Sequence, residues 1–265
     1  MAISDQLSGY LTRIGYEGPV APTLETLRGM HRAHFLNVPF ENLNIQRGVP
    51  IVVDPVANYE KIVDRRMGGF CLELTGLFAW ALREIGFEVD VIGARVMTPE
   101  GAFGEPMSHM TLLVHLDEAW IADVGFGGRV IEPLRMAERG PQVFGLRRYV
   151  VANDGDHWFV TCHDPWLAPQ APRTYTFTLQ PREFEEFVPV CGWLQTSPDS
   201  NFTRGDVVSL GTENGRVSYS PGRLIVAEGE GRVETEVAEG DLPGLLEERF
   251  GARDRGQASV SQERN

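Results

Sequence analysis

The sequence predicts an α+β protein in which helices gather at the N-terminal end and strands follow them. Three observations lead there. Apolar residues recur at helical spacing, with helix-type caps and stops, up to residue 86; at Phe87 the pattern changes to short runs rich in β-branched and aromatic residues; and from about Glu183 strands and helices mix. With 265 residues, 42% of them hydrophobic, the chain can bury a substantial core.

Residues 3–14 read as the first helix and 15–22 as a loop punctuated by glycine and proline. Thr23 is placed as N-cap of a helix over 24–36, because its hydroxyl can accept from first-turn amides, and Val38-Pro39 ends that helix. After a loop around Gly48 and Pro50, residues 58–67 read as helical. Gly68-Gly69 interrupts, and an amphipathic helix over 71–85 stops at Gly86. Strands are expected over 89–92, 110–116, 120–124, 148–152, 158–162 and 175–179, a meandering β region. Beyond Glu183 come a short helix, strands over 207–210, 217–219 and 224–226, and a last helix over 242–250. The division is therefore 1–86, 87–182 and 183–251, with a polar tail over 252–265 expected to fray.

Composition excludes several function classes. The first residues carry neither a basic nor an apolar signal region, and no apolar run approaches the roughly 20 residues that span a bilayer. Cys71, Cys162 and Cys191 are widely spaced, odd in number and without a CxxC pair, which argues against disulfides or structural zinc and for a reducing cytoplasm. A net charge of −13 without a basic cluster opposes nucleic acid and anionic lipid. The same field opposes an anionic ligand such as a coenzyme A ester, which would need backbone donors or well-placed arginines.

Cys71 follows a glycine pair at a helix start, where amides and the helix dipole favour a thiolate; Cys162 and Cys191 lack that setting and read as structural. A thiolate nucleophile needs a base, and the base an orienting acceptor. Among six histidines, His31 and His34 lie one helical turn apart and read as a solvated pair rather than a metal site. His115 sits mid-strand and reads as structural, while His157 and His163 look like turn residues. His109 opens its strand after the Gly104-Glu105-Pro106 loop, where a side chain can reach a cleft. Asp123 lies in an apolar run and needs a partner: it either caps the Gly125-Phe126-Gly127-Gly128 turn or orients a base. A two-residue turn at Asp117-Glu118 would set Leu112 opposite Asp123, so hairpin arithmetic does not join it to His109 without a bulge or bend. Gly127 and Gly128 could bring backbone amides to a phosphate or thioester carbonyl. Phe40, Phe126 and Phe202 read as core or as substrate wall.

Along nearly its whole length the chain resembles the arylamine N-acetyltransferases. The resemblance rests on Tyr10-Leu11-Thr12-Arg13-Ile14-Gly15-Tyr16, Val38-Pro39-Phe40-Glu41-Asn42-Leu43, Gly68-Gly69-Phe70-Cys71-Leu72-Glu73, Ser108-His109-Met110, Asp123-Val124-Gly125-Phe126-Gly127 and Ser197-Pro198-Asp199-Ser200-Asn201-Phe202. It implies a helical bundle, a central antiparallel β-barrel and a C-terminal α/β lid around a cysteine-protease-like core, with Cys71 the acyl-carrying nucleophile, His109 its base and Asp123 the orienter. It also implies acetyl-CoA as donor, a small arylamine or hydrazine acceptor taken up in a ping-pong cycle, no metal, and Phe40, Phe126 and Phe202 on the acceptor pocket. Two departures stand out: Met67 replaces the family's usual arginine before the double glycine, so some loop or helix-start hydrogen bonds are expected to be absent or supplied by Arg66, and Thr75 replaces its usual asparagine. Thiol hydrolases of the papain or transglutaminase type share such a residue set, and related amide synthases use it on long acyl chains. A simple binding module has no need of it.

Overall fold

The computed structural model describes residues 3–163, 165–166 and 172–252. Ser4 accepts from the Leu7 amide to start α1 (Asp5–Ile14), which Gly15 ends in the left-handed region at φ 70°. Thr23 caps α2 (Leu24–Asn37) through the Thr26 amide. A short strand β1 (Phe40–Glu41), a turn of helix α3 (Leu43–Gln46) and α4 (Pro55–Tyr59) follow. The helix expected over 58–67 starts earlier and ends earlier. Asp54 caps it with Pro55 at its first position, where a missing N–H costs nothing; it widens into a π-helical turn over Glu60–Asp64, and Arg66 then takes φ 55°. Helix α5 (Cys71–Ile85) is buried on nearly all sides rather than on one face, because α1, α4 and the barrel surround it.

Eight antiparallel strands form the barrel: β2 (Glu88–Val96), β3 (His109–His115), β4 (Ala119–Ala122), β5 (Leu134–Arg135), β6 (Gln142–Phe144), β7 (Arg147–Asp154), β8 (His157–His163) and β9 (Arg173–Pro181), in the order β5-β4-β3-β2-β9-β8-β7-β6. Its two edge strands meet through a side chain, since Gln142 accepts from the Arg135 amide and donates to the Arg135 carbonyl. The period of two gives these strands two apolar faces: Ile92, Leu113, Ile121, Tyr149, Val151 and Tyr175 fill the barrel, while Val91, Met110, Leu112 and Val114 pack with α5.

The C-terminal part adds α6 (Val188–Thr196), β10 (Val208–Thr212), β11 (Gly215–Ser220), β12 (Arg223–Glu228), β13 (Gly231–Glu236) and α7 (Leu242–Phe250). Its sheet runs β1-β10-β11-β12-β13, and the pairing of Phe40 with Ser209 ties it to the helical part. Ala252, where fraying was expected, is buried and donates to the Leu246 carbonyl; 253–265 lie outside the described residues. Among the described residues no helix is long and apolar enough to cross a membrane.

Candidate active site

The double glycine lets two chain segments touch. A Cβ on Gly68 would fall 2.0 Å from the Pro39 carbonyl oxygen, and the Glu41 amide donates to the Gly69 carbonyl at 2.9 Å. Glu73 reaches back to accept from the Phe70 amide, and buried Lys61 bridges Glu73 and Glu41 at 2.8 and 2.9 Å. Burial raises the Glu73 carboxyl; Lys61 is pulled down by burial, but its two carboxylates outweigh that and raise it. The Met67 carbonyl accepts from Arg13. The donors near Met67 therefore come from Lys61 and Arg13 rather than from Arg66. This scaffold holds Cys71 at the first position of α5, buried, with its thiol directed at the Ser108 carbonyl at 3.6 Å.

His109 stands at the start of β3 and is fully buried. Its Nε2 pairs with Asp123 Oδ2 at 2.8 Å, which leaves Nδ1 for the neighbouring Cys71 sulfur. Burial pulls the imidazole down, yet Asp123 and Cys71 overcome it and raise it to about 10. The structure thus brings Cys71, His109 and Asp123 together. No bulge is needed. Leu116, Asp117 and Glu118 all belong to the turn, so Leu112 pairs with Ala122 and the position across from Asp123 is Thr111. Asp123 and His109 are then diagonal neighbours on one face, within reach of long side chains.

Asp123 makes both contacts at once, for while one oxygen meets His109 its second accepts from the Gly125 amide at 3.1 Å. Gly125 presses on α5, where a Cβ would lie 2.5 Å from Thr75 Oγ1 and 2.9 Å from Cys71 Cα. His31 and His34 are buried rather than solvated: both rings pack edge-on against Phe78, and His34 Nδ1 meets the Tyr10 hydroxyl at 2.7 Å. Burial lowers His31 to about 4, so it is neutral, and its Nε2 accepts from the Asp123 amide. His115 pairs with Asp90. Tyr175, which nothing in the sequence singled out, packs its ring 5.0 Å from His109, with its hydroxyl 3.5 Å from Thr111 Oγ1; burial and the Asp123 charge raise its phenol well above 10. Cys191 is buried, which pushes its thiol up to about 12.

A cleft of about 420 Å³ opens beside Cys71 and His109, lined by Phe40, Phe126, Phe202 and Gly127 and also by Arg129, Arg173 and Arg216. Phe202 packs 6.1 Å from Phe40, while Phe126 lies against His109 at 5.1 Å with the two rings tilted by 49°. The Gly127 carbonyl accepts from the Ser209 hydroxyl and the Arg216 guanidinium, and Gly128 packs against Gly211 of β10. None of the three arginines stands among the residues expected from the sequence; Arg129, directly after the glycine turn, is the one that its position could have marked, while Arg173 and Arg216 carry no local signal. Among the described residues no group of three His, Cys, Asp or Glu side chains could hold a metal.

A family profile described as N-acetyltransferase matches residues 23–254. A pineal gland arylamine N-acetyltransferase of Gallus gallus is 37% identical over 227 residues, which is 78% of each chain. The solved arylamine N-acetyltransferase of Salmonella typhimurium superposes with a TM-score of 0.87 at 30% identity, over 97% of this chain and 95% of that one. The enzyme of Mycobacterium marinum in complex with CoA gives 0.85 at 29%, over 93% and 92%.

Proposed function

The chain belongs to the arylamine N-acetyltransferase family, and from that membership we propose that it moves an acetyl group from acetyl-CoA through a thioester on Cys71 to the nitrogen of an arylamine or arylhydrazine. The observation that carries this reading is His109, held between Cys71 and Asp123 at the floor of the cleft.

In the first half-reaction the Cys71 thiolate attacks the thioester carbonyl, a carbon–sulfur bond forms, and the coenzyme leaves as a thiolate that takes the proton held on His109. In the second, a neutral amine attacks the acetyl-enzyme, its nitrogen gives a proton to His109, and the amide departs as the Cys71 sulfur is released. Asp123 orients the imidazole and balances its charge in both halves. The raised His109 favours the protonated ring at neutral pH, which suits it to deliver the proton that the departing coenzyme thiolate takes. Arg129, Arg173 and Arg216 supply local positive charge that a chain of net charge −13 otherwise lacks, which favours an anionic donor here.

Intact-mass measurement after mixing with acetyl-CoA alone tests the proposal. A single acetyl adduct on Cys71, discharged by an arylamine, is expected; no adduct, or an adduct elsewhere, overturns it.

A further inference from the structure

The residues Glu105-Pro106-Met107-Ser108 form a turn in which the Ser108 amide donates to the Glu105 carbonyl and Met107 has φ 60°. Proline followed by a left-handed residue is the pattern of a type II turn, whose second central position favours glycine. A methionine there is strained, and the strain is retained at the residue directly before Ser108 and His109. Across from it, β2 carries Gly93. A Cβ at that position would lie 2.8 Å from Met107 Cγ. Met107 fills the notch and packs on the core beneath α5, and its outer flank borders a separate groove of about 410 Å³. Met107 lines that groove and not the cleft, whereas the next two residues, Ser108 and His109, line the cleft and carry the Cys71 contact and the catalytic-site imidazole.

We propose that Gly93 and Met107 form a seat that positions the transfer machinery: Met107, lodged where only glycine leaves room, holds the Ser108 carbonyl and the His109 ring against Cys71. This rests on Cys71 as the acyl carrier. Met107 and Gly93 touch no substrate; they act through residues 108 and 109.

The test compares Met107→Gly, Gly93→Ala and the double variant by the rate of Cys71 acetylation and by the pH profile of thiol alkylation. Met107→Gly suits the backbone angle but gives up the packing of a half-buried side chain, so the fold should be kept with offsetting effects on Tm, while acetylation should slow about tenfold or more, as small misplacements do. Its alkylation profile should move. Gly93→Ala should act in the same direction by expelling Met107, and the double variant should be no slower than the worse single, since both remove one contact. Wild-type rate and profile in Met107→Gly, or a double variant slowed by the product of the singles, overturns the seat. If Gly93→Ala does not fold, Met107→Gly decides alone. A wild type that never acetylates would sink the acyl-carrier reading instead, while alkylation, which needs no acetyl donor, still reads the seat.

Discussion

The backbone amide of Asp123 donates to His31 Nε2 at 3.1 Å, and His31 Nδ1 in turn meets the Ile131 carbonyl at 3.3 Å. A buried imidazole on α2 thus ties down the chain on both sides of the glycine turn, and can do so only in its neutral form, because Nε2 must accept. The same residue makes the site sensitive to acid.

His31 has its folded pKa depressed to about 4 by burial, against an ordinary value near 6.5. The unfolded chain therefore binds this proton first. The stability that neutral His31 provides is fully present above about pH 6.5 and is lost as pH falls toward 4, by on the order of 3 kcal/mol in all. His31→Gln, whose carbonyl can accept from Asp123 but does not titrate, should flatten that part of the stability curve in denaturant titrations between pH 7 and 4. An unchanged slope would assign the acid lability to other groups.

His109 works in the opposite direction. With its folded pKa raised to about 10, the stability from the protonated ring is fully present below about 6.5 and declines as pH rises toward 10. Asp123→Asn removes the carboxylate that holds this proton, and an amide can favour the wrong tautomer; acyl-enzyme formation should fall on the order of a thousandfold. The alkylation rate of Cys71 against pH should change shape. A profile overlaying the wild type would make Asp123 purely a turn residue.

Part of this arrangement was legible and part was not, for local reasons. Thr23 as a cap, the Gly68-Gly69 break before Cys71 and the stop at Gly86 are short-range signals, and each appears where expected. The approach of His109 and Asp123 depends on one residue of turn length. Adding Leu116 to the turn shifts the register by one and flips Asp123 onto the face of His109. His31 and His34 look like a solvated pair because α2 is polar in composition, but α5 and the barrel cover them from elements far away in sequence. Arg173 and Arg216 reach the cleft only through the sheets that carry them.

Cys71→Ala should abolish transfer with the fold kept, since the thiol's packing contribution at a helix start is small beside its chemistry. Cys162→Ala and Cys191→Ala should retain turnover, each at a modest cost in Tm from the buried atoms lost. Loss of chemistry in either, with circular dichroism unchanged, would mean the wrong sulfur has been chosen.

Thr75 Oγ1 is buried beside Gly125 with no hydrogen-bond partner among the described residues. An unsatisfied buried hydroxyl costs about 1–3 kcal/mol, so Thr75→Val, close to it in shape, should hold or raise stability by up to about 1 kcal/mol and leave acetylation near wild type. A drop of several degrees in Tm would reveal a partner for the hydroxyl.

The acceptor preference follows from the cleft walls. Phe40 and Phe202 pack at 6.1 Å with Phe70 behind Phe202 at 5.6 Å, and Phe126 lies against His109, so the space beside the sulfur is apolar and aromatic. Such walls favour a flat ring and penalise an ammonium that must be desolvated. Arylamines are neutral at pH 7 and carry a free lone pair to the thioester, whereas alkylamines are protonated and must first lose a proton. Steady-state rates with acetyl-CoA and a panel of arylhydrazines, anilines and alkylamines should rank the aromatic acceptors first. Phe202→Ala separates the two half-reactions: it should raise KM for arylamines about tenfold, the worth of one lost aromatic contact, while acetylation of Cys71 in the absence of acceptor stays near wild type. If a long-chain acyl thioester loads Cys71 where acetyl-CoA does not, the donor assignment gives way to an amide synthase; if alkylamines outrun anilines, the aromatic walls do not choose the acceptor.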